Sequence, residues 1–281
     1  MTKVKEKTMH IVFLVAACMS ILAVAMICLF MFANGIPAIR QIGFVNFIFG
    51  KTWMPGANKF GIFPMIIGSI YVTAIIIGVP IGLLCAVFMA KFCPPKIHKI
   101  IKPAVDLLAG IPSIVYGFFG LVVITPMIRN TFGGSGKNIL TACILLGIMI
   151  LPTIISVSES AIRAVPESYY EGALALGDTH ERSVFKAVLP AAKSGILAAI
   201  ILGIGRAIGE TMAVIMIAGN HAVMPDSLLA GVRTLTSNIV LELGYATDLH
   251  REALIATGVV LFVFILIINL LFSVVKKKGA K

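Results

Sequence analysis

Arg206 and Glu210 stand four residues apart in a stretch that is otherwise apolar or small, Gly203-Ile-Gly-Arg-Ala-Ile-Gly-Glu-Thr211. On a continuous helix that spacing puts both side chains on one face. Ions at membrane depth are costly and usually face a bundle interior or a water-filled path. Two roles fit the pair. It is either a structural salt bridge that fixes helix packing, or a guanidinium offered to an oxyanion while the carboxylate restrains or gates it. Gly203, Gly205 and Gly209 would admit another backbone or a substrate beside it. The remaining polar residues have plainer readings. Glu159 and Arg163, also four apart, are expected to pair at a helix end, and Asp106 to sit in the membrane interface. Asn269 reads as glue between helices.

Other chemistries find little support. The five cysteines, Cys18, Cys28, Cys85, Cys93 and Cys143, fall mostly in apolar runs and show no metal or disulfide spacing. The five histidines, among them His98, His180 and His221, lie in loops or at ends, where a solvated surface role is the expectation. No metal site, nucleophile or enzyme constellation emerges. Gly133-Gly-Ser-Gly-Lys-Asn138 looks like a phosphate-binding loop, but Thr131 stands where its first Gly belongs and Asn138 where Ser or Thr belongs. It reads as a turn.

These residues must be positioned by apolar helices. The chain is 59% hydrophobic and 12% charged, against about 45–50% and about 25% in ordinary soluble domains. Six runs reach the roughly 20 residues needed to cross a bilayer: 11–33, 61–90, 103–127, 139–158, 194–217 and 253–275. The fold class is therefore all-α, with six transmembrane helices. The first run is too long for a cleaved signal segment. The expected organisation is a basic leader at 1–10, a first helix at 11–33 and an external loop at 34–60. A five-helix core at 61–275 follows, with a cytoplasmic loop at 161–193 and a basic tail at 276–281.

The net charge of +11 belongs to the segments between these runs, so a membrane surface explains it and a nucleic-acid groove does not. Fifteen Lys and Arg fall on the side of the termini and seven on the other. That bias puts both termini and the 161–193 loop in the cytoplasm. Pro80, Pro112 and Pro152 are expected deep in three spans, where each favours a kink.

The loop itself has a local design. Pro166 suits a helix start and Gly177 a helix stop. Asp178 with Glu181 forms a capping box for a second short helix. Glu171, Gly172, Ala173, Gly177, Leu189 and Pro190 follow a spacing of Glu-Ala-Ala, three residues, Gly, nine residues, Ile, one residue, Leu-Pro. Gly172 and Ala187 depart from it by small apolar replacements. The segment resembles the EAA loop of ABC-importer permeases, which seats in a groove of a separate ATPase.

Further stretches resemble the membrane subunits of phosphate-specific importers, the PstC and PstA permeases. They are Phe60-Gly-Ile-Phe-Pro64, Gly110-Ile-Pro-Ser-Ile-Val-Tyr-Gly117 and Gly205-Arg-Ala-Ile-Gly-Glu-Thr211. Ala218-Gly-Asn220 and Val232-Arg-Thr-Leu-Thr-Ser-Asn-Ile239 are similar to PstC in particular. The resemblance implies a type I ABC-importer permease fold and a phosphate path formed with a PstA-like second permease. It also implies two copies of a PstB-like ATPase, which use the ATP, and a PstS-like external phosphate-binding protein. This chain would bind no cofactor and would not itself be an enzyme. Arg206 and Glu210 would lie on the anion path. The rival readings are a permease for sulfate or molybdate and, from another class, an ATP-independent secondary transporter. The latter would need more intramembrane carboxylates than Glu210.

Overall fold

The computed structural model describes residues 2–73 and 78–279; residues 74–77, inside the expected second span, and the ends of the leader and tail lie outside them. Six helical stretches are long and apolar enough to cross a membrane: Lys5–Ile42, Phe63–Phe92, Ser113–Phe132, Ile139–Arg163, His180–Gly209 and Asp248–Leu271. Helices dominate because lipid offers backbone groups no partner.

The first helix, α1 (Thr2–Ile42), runs 41 residues, about 60 Å at 1.5 Å per residue. It leans on the last helix, named α14 here (Asp248–Gly279). Gly35 permits that approach, since a Cβ there would meet Val259 at 2.7 Å. Phe32 and Phe262 meet edge to face at 6.0 Å. Outside the membrane core, a short helix α2 (Phe44–Phe49) leads to a two-stranded hairpin, β1 (Trp53–Met54) and β2 (Lys59–Phe60), turned by Asn58 at φ 52°.

The second crossing contains α3 (Phe63–Thr73) and α4 (Gly78–Val87) and ends in a π-helical turn, Phe88–Phe92. Pro80 lies within α4, as expected for a proline inside the second span. The third crossing differs from its sequence reading. Residues 95–110 form a separate amphipathic helix, α5 (Pro95–Gly110), and the crossing starts only at α6 (Ser113–Phe119). Ile111 is extended (ψ 127°) ahead of Pro112, as the residue before proline prefers. Pro112 therefore marks a break and is not a kink inside a span. Hydropathy merged the apolar end of α5 with the true crossing. A π-helical turn (Gly120–Ile124) joins α6 to α7 (Thr125–Phe132).

The fourth crossing, α8 (Ile139–Arg163), is the most buried and contains Pro152. Asn138 caps it by accepting from Thr141 N at 2.9 Å. The three glycines at 133, 134 and 136 all have positive φ, which makes the preceding segment a left-handed turn. Leu145, Leu146, Met149, Ile150 and Ile154 of α8 form the centre of the main core cluster. Ile154 is held from two sides, because Cβ atoms on Gly82 of α4 and Gly203 further along the chain would each approach it to 2.9 Å. Small residues at membrane helix crossings let backbones come close and gain dispersion contacts.

After a short helix α9 (Glu167–Ala175), α10 (His180–Ser183) leads through a π-helical turn into α11 (Leu189–Gly209). The expected fifth span, 194–217, is not continuous. It breaks at Glu210 and Thr211, and a six-residue helix α12 (Met212–Ile217) follows. A further short helix, α13 (Leu235–Glu242), packs on α3, α12 and α14.

Gly82→Leu should overfill the α4–α8 crossing, at a cost of about 1–3 kcal/mol. Thermal unfolding of the detergent-purified protein should show a lower midpoint, and an unchanged midpoint would mean that the crossing has slack.

Candidate functional site

Arg206 ends α11 and Glu210 has already left it. Glu210 is extended (φ −69°, ψ 130°), and its Oε1 accepts from Ala213 N at 3.1 Å, so the carboxylate caps the next helix. The expected i, i+4 face is therefore lost, and the described ion pairs include none between Arg206 and Glu210. The salt-bridge reading of the pair fails for that reason. Arg206 instead donates from Nη1 to Thr153 Oγ1 of α8 at 3.3 Å, within electrostatic range of Tyr116 on α6. Both members of the pair are half-buried. A Cβ on Gly205 or Gly209 would meet nothing within 4 Å. These two glycines border open space, whereas Gly203 serves helix packing. A guanidinium in the last turn of this crossing, beside open space and with no carboxylate among its described ion pairs, is equipped to attract an anion.

A second charged cluster, outside the expected site, lies on the side of the hairpin. Glu242 is 6% exposed and takes a hydrogen bond from Trp53 Nε1 at 2.9 Å. His250 Nε2 lies 2.8 Å from the same oxygen, and Arg233 Nη1 binds the other. Arg233 also donates to Asn238 Oδ1 and to the carbonyl of Asn220, each at 3.1 Å. This cluster ties β1, the start and end of α13, and α14 together. From α13, Thr236 reaches back to the backbone carbonyl of Glu210 at 3.2 Å. No local spacing rule connects Trp53 to Glu242 across 189 residues. The only sequence signal was the family-like run that contains Arg233 and Asn238.

On the opposite side, Glu159 is buried and gathers more than the expected Arg163. Arg163 Nε lies 2.9 Å and His98 Nε2 2.6 Å from its Oε1, with Lys102 at 3.6 Å from Oε2. Lys102 also pairs with Asp106 at 3.2 Å, and Arg163 donates to the Met89 carbonyl at 2.7 Å. His98 is thus a half-buried partner of Glu159 and not a freely solvated surface residue. His180 likewise meets Tyr170 Oη at 2.7 Å. The cluster joins the second crossing, α5 and α8 at the root of the 161–193 loop.

That loop forms the expected helix–turn–helix with one change. Pro166 caps α9 and Gly177 takes φ 89°, but Thr179, not Asp178, caps α10, accepting from Arg182 N. Asp178 is one residue too early and pairs instead with Arg182 at 2.8 Å. Glu171, Gly172 and Gly177 are exposed and Ala173 is half-buried on α9, a helix with no buried residue. Leu176 beside them is 90% exposed. Leu189 and Pro190 sit apart from this tip, at the root of α11.

Residues 78–279 match the model of the family described as binding-protein-dependent transport system inner membrane component. The chain belongs to that family. The permease is thus a multi-pass protein of the bacterial inner membrane and a component of a transport system. It is 37% identical over 275 residues to the probable ABC transporter permease protein YqgH of Bacillus subtilis, covering 92% of this chain and 89% of that one. It is 35% identical over 261 residues to the phosphate transport system permease protein PstC of Mesorhizobium japonicum, covering 85% and 80%. Among solved structures, the MetNI methionine ABC transporter in inward-facing form aligns with TM-score 0.61 and 20% identity, over 79% of this chain and 95% of that one. That likeness establishes the shared fold.

Removing one partner of a buried ion pair leaves the other uncompensated, at a cost of about 3–5 kcal/mol. Glu242→Ala in the permease should therefore lower the thermal midpoint sharply, while Glu242→Gln, which keeps an acceptor, should lower it less. Equal midpoints for both variants and the parent would show that the cluster contributes nothing to stability.

Proposed function

We propose that this permease lines the path of an ATP-driven importer of inorganic phosphate. The observation that carries this reading is the 35% identity to a PstC protein over 85% of the chain. The uncompensated Arg206 supplies the chemistry, a cation near the end of a crossing for an oxyanion to visit and leave. The path would form between this chain and a PstA-like permease, with a PstS-like protein delivering phosphate outside. Two PstB-like subunits would hydrolyse ATP on the cytoplasmic side.

In this scheme the exposed α9 tip, with Glu171, Gly172, Ala173 and Gly177, seats in an ATPase groove. Leu189 and Pro190 anchor its return into α11. The Glu159 cluster makes the root of the loop stiff, so movement of an ATPase would pass to α8 and α11 as a rigid-body rotation. Gly177 at φ 89° is suited to the tight turn between the two short helices, a backbone region costly for any residue with a Cβ.

The test is labelled-phosphate uptake at low external concentration by cells lacking their own high-affinity system and expressing the permease with these partners. Uptake that depends on the ATPase and resists sulfate and molybdate competition is the expected result. Competition by either ion would reassign the substrate within the same family, and uptake without the ATPase would overturn the coupling scheme. Gly177→Val should cut uptake at least tenfold while ATP hydrolysis by the complex continues. Arg206→Lys should also impair uptake, because a point charge does not reproduce bidentate contact.

A further inference from the structure

Several hydroxyls on the helices of this chain serve their own backbone. Ser20, Thr131, Ser160 and Thr257 each donate to the carbonyl four residues back, at 2.8–2.9 Å. Thr153 does not. It lies in the middle of α8, directly after Pro152 and directly before the tightly packed Ile154. Its Oγ1 accepts from Arg206 Nη1 at 3.3 Å, and among the described residues its own proton has no acceptor. Nε and Nη2 of Arg206 likewise have no protein partner among the described residues. The hydroxyl and the guanidinium therefore present unused donors side by side, next to the open space at Gly205 and Gly209.

We infer that Thr153 is a substrate-binding residue of the path, fixing Arg206 through one N–H and donating its own O–H to the oxyanion that Arg206 attracts. The inference rests on the proposed anion path and adds to it a specific ligand from a different helix. A hydroxyl suits the task because it can accept from the cation and donate to the anion at once. A hydrogen bond from a cation also polarises the hydroxyl and strengthens its donation. Pairing residues from α8 and α11 has a mechanical consequence. The donor set is complete only while these helices keep their present register, and a small shift between them would separate the donors and release the anion.

The experiment compares the parent with Thr153→Val, which keeps the shape and removes the hydroxyl, and with Thr153→Ser, which keeps the hydroxyl. Labelled-phosphate uptake is measured in the full transporter, normalised to permease in the membrane. One hydrogen bond to a charged group corresponds to a change of about ten- to hundredfold. The Val variant should lose about that factor in uptake efficiency, mainly through a higher KM, and the Ser variant should recover most of it. In the Arg206→Lys background, the Val substitution should add much less than it does alone. Parent-like uptake by the Val variant would overturn the inference, as would loss by the Ser variant equal to that of Val. Should Val reduce membrane abundance, Thr153→Ala takes its place with the same criteria. A parent transporter that moves no phosphate would instead sink the functional reading, so the two failures are distinct.

Discussion

The break after Gly209 governs the upper half of this molecule. In lipid, a helix that stops must satisfy its loose backbone groups from within the protein. Glu210 does this with its carboxylate on the Ala213 amide, and Thr236 covers the Glu210 carbonyl. An acid that would be expensive as a free charge at that depth is thereby made part of the backbone. The same event releases Arg206 from its obvious partner. One helix break thus produces a cap, a change of direction into α12, and an unneutralised guanidinium beside open space.

Two charged clusters frame this region and do different mechanical work. The outer one holds Glu242 among Arg233, His250 and Trp53, pinning α13 to the hairpin and to α14. Since α13 also touches the Glu210 carbonyl, the outer cluster braces the break itself. The inner one gathers Arg163, His98 and Lys102 around Glu159 and joins three elements at the root of the cytoplasmic loop. Between them lies the dry core of α8, in which Ile154 is gripped by Gly82 and Gly203. Stiff ends with close-packed helices between them suit a protein that moves by rotating whole segments. Such cores shift between discrete packings and do not deform smoothly.

The exposed surface fits an incomplete assembly. The α9 tip carries no buried residue and shows Leu176 almost entirely to solvent. A single permease chain also cannot enclose a path on its own if its lone guanidinium opens onto a face of the bundle. Both features are intelligible for a family whose members are described as components of a transport system.

The sequence alone determined the number of crossings, the helical class and the place of the exposed helix–turn–helix in the 161–193 loop. Those features depend on composition, on runs of about 20 residues and on local rules for caps and turns, all of which act over a few neighbours. The tertiary structure decided what those rules do not reach. Hydropathy averages over a window, so the interruptions at Ile111–Pro112 and at Glu210 vanished into apolar surroundings. The capping role of Glu210 depends on an extended backbone that an assumed continuous helix excludes. Partners such as Trp53 and Glu242, His98 and Glu159, or Thr153 and Arg206 come from distant parts of the chain. Only folding brings them within hydrogen-bond reach, because their pairing is set by how helices pack and not by spacing along the chain.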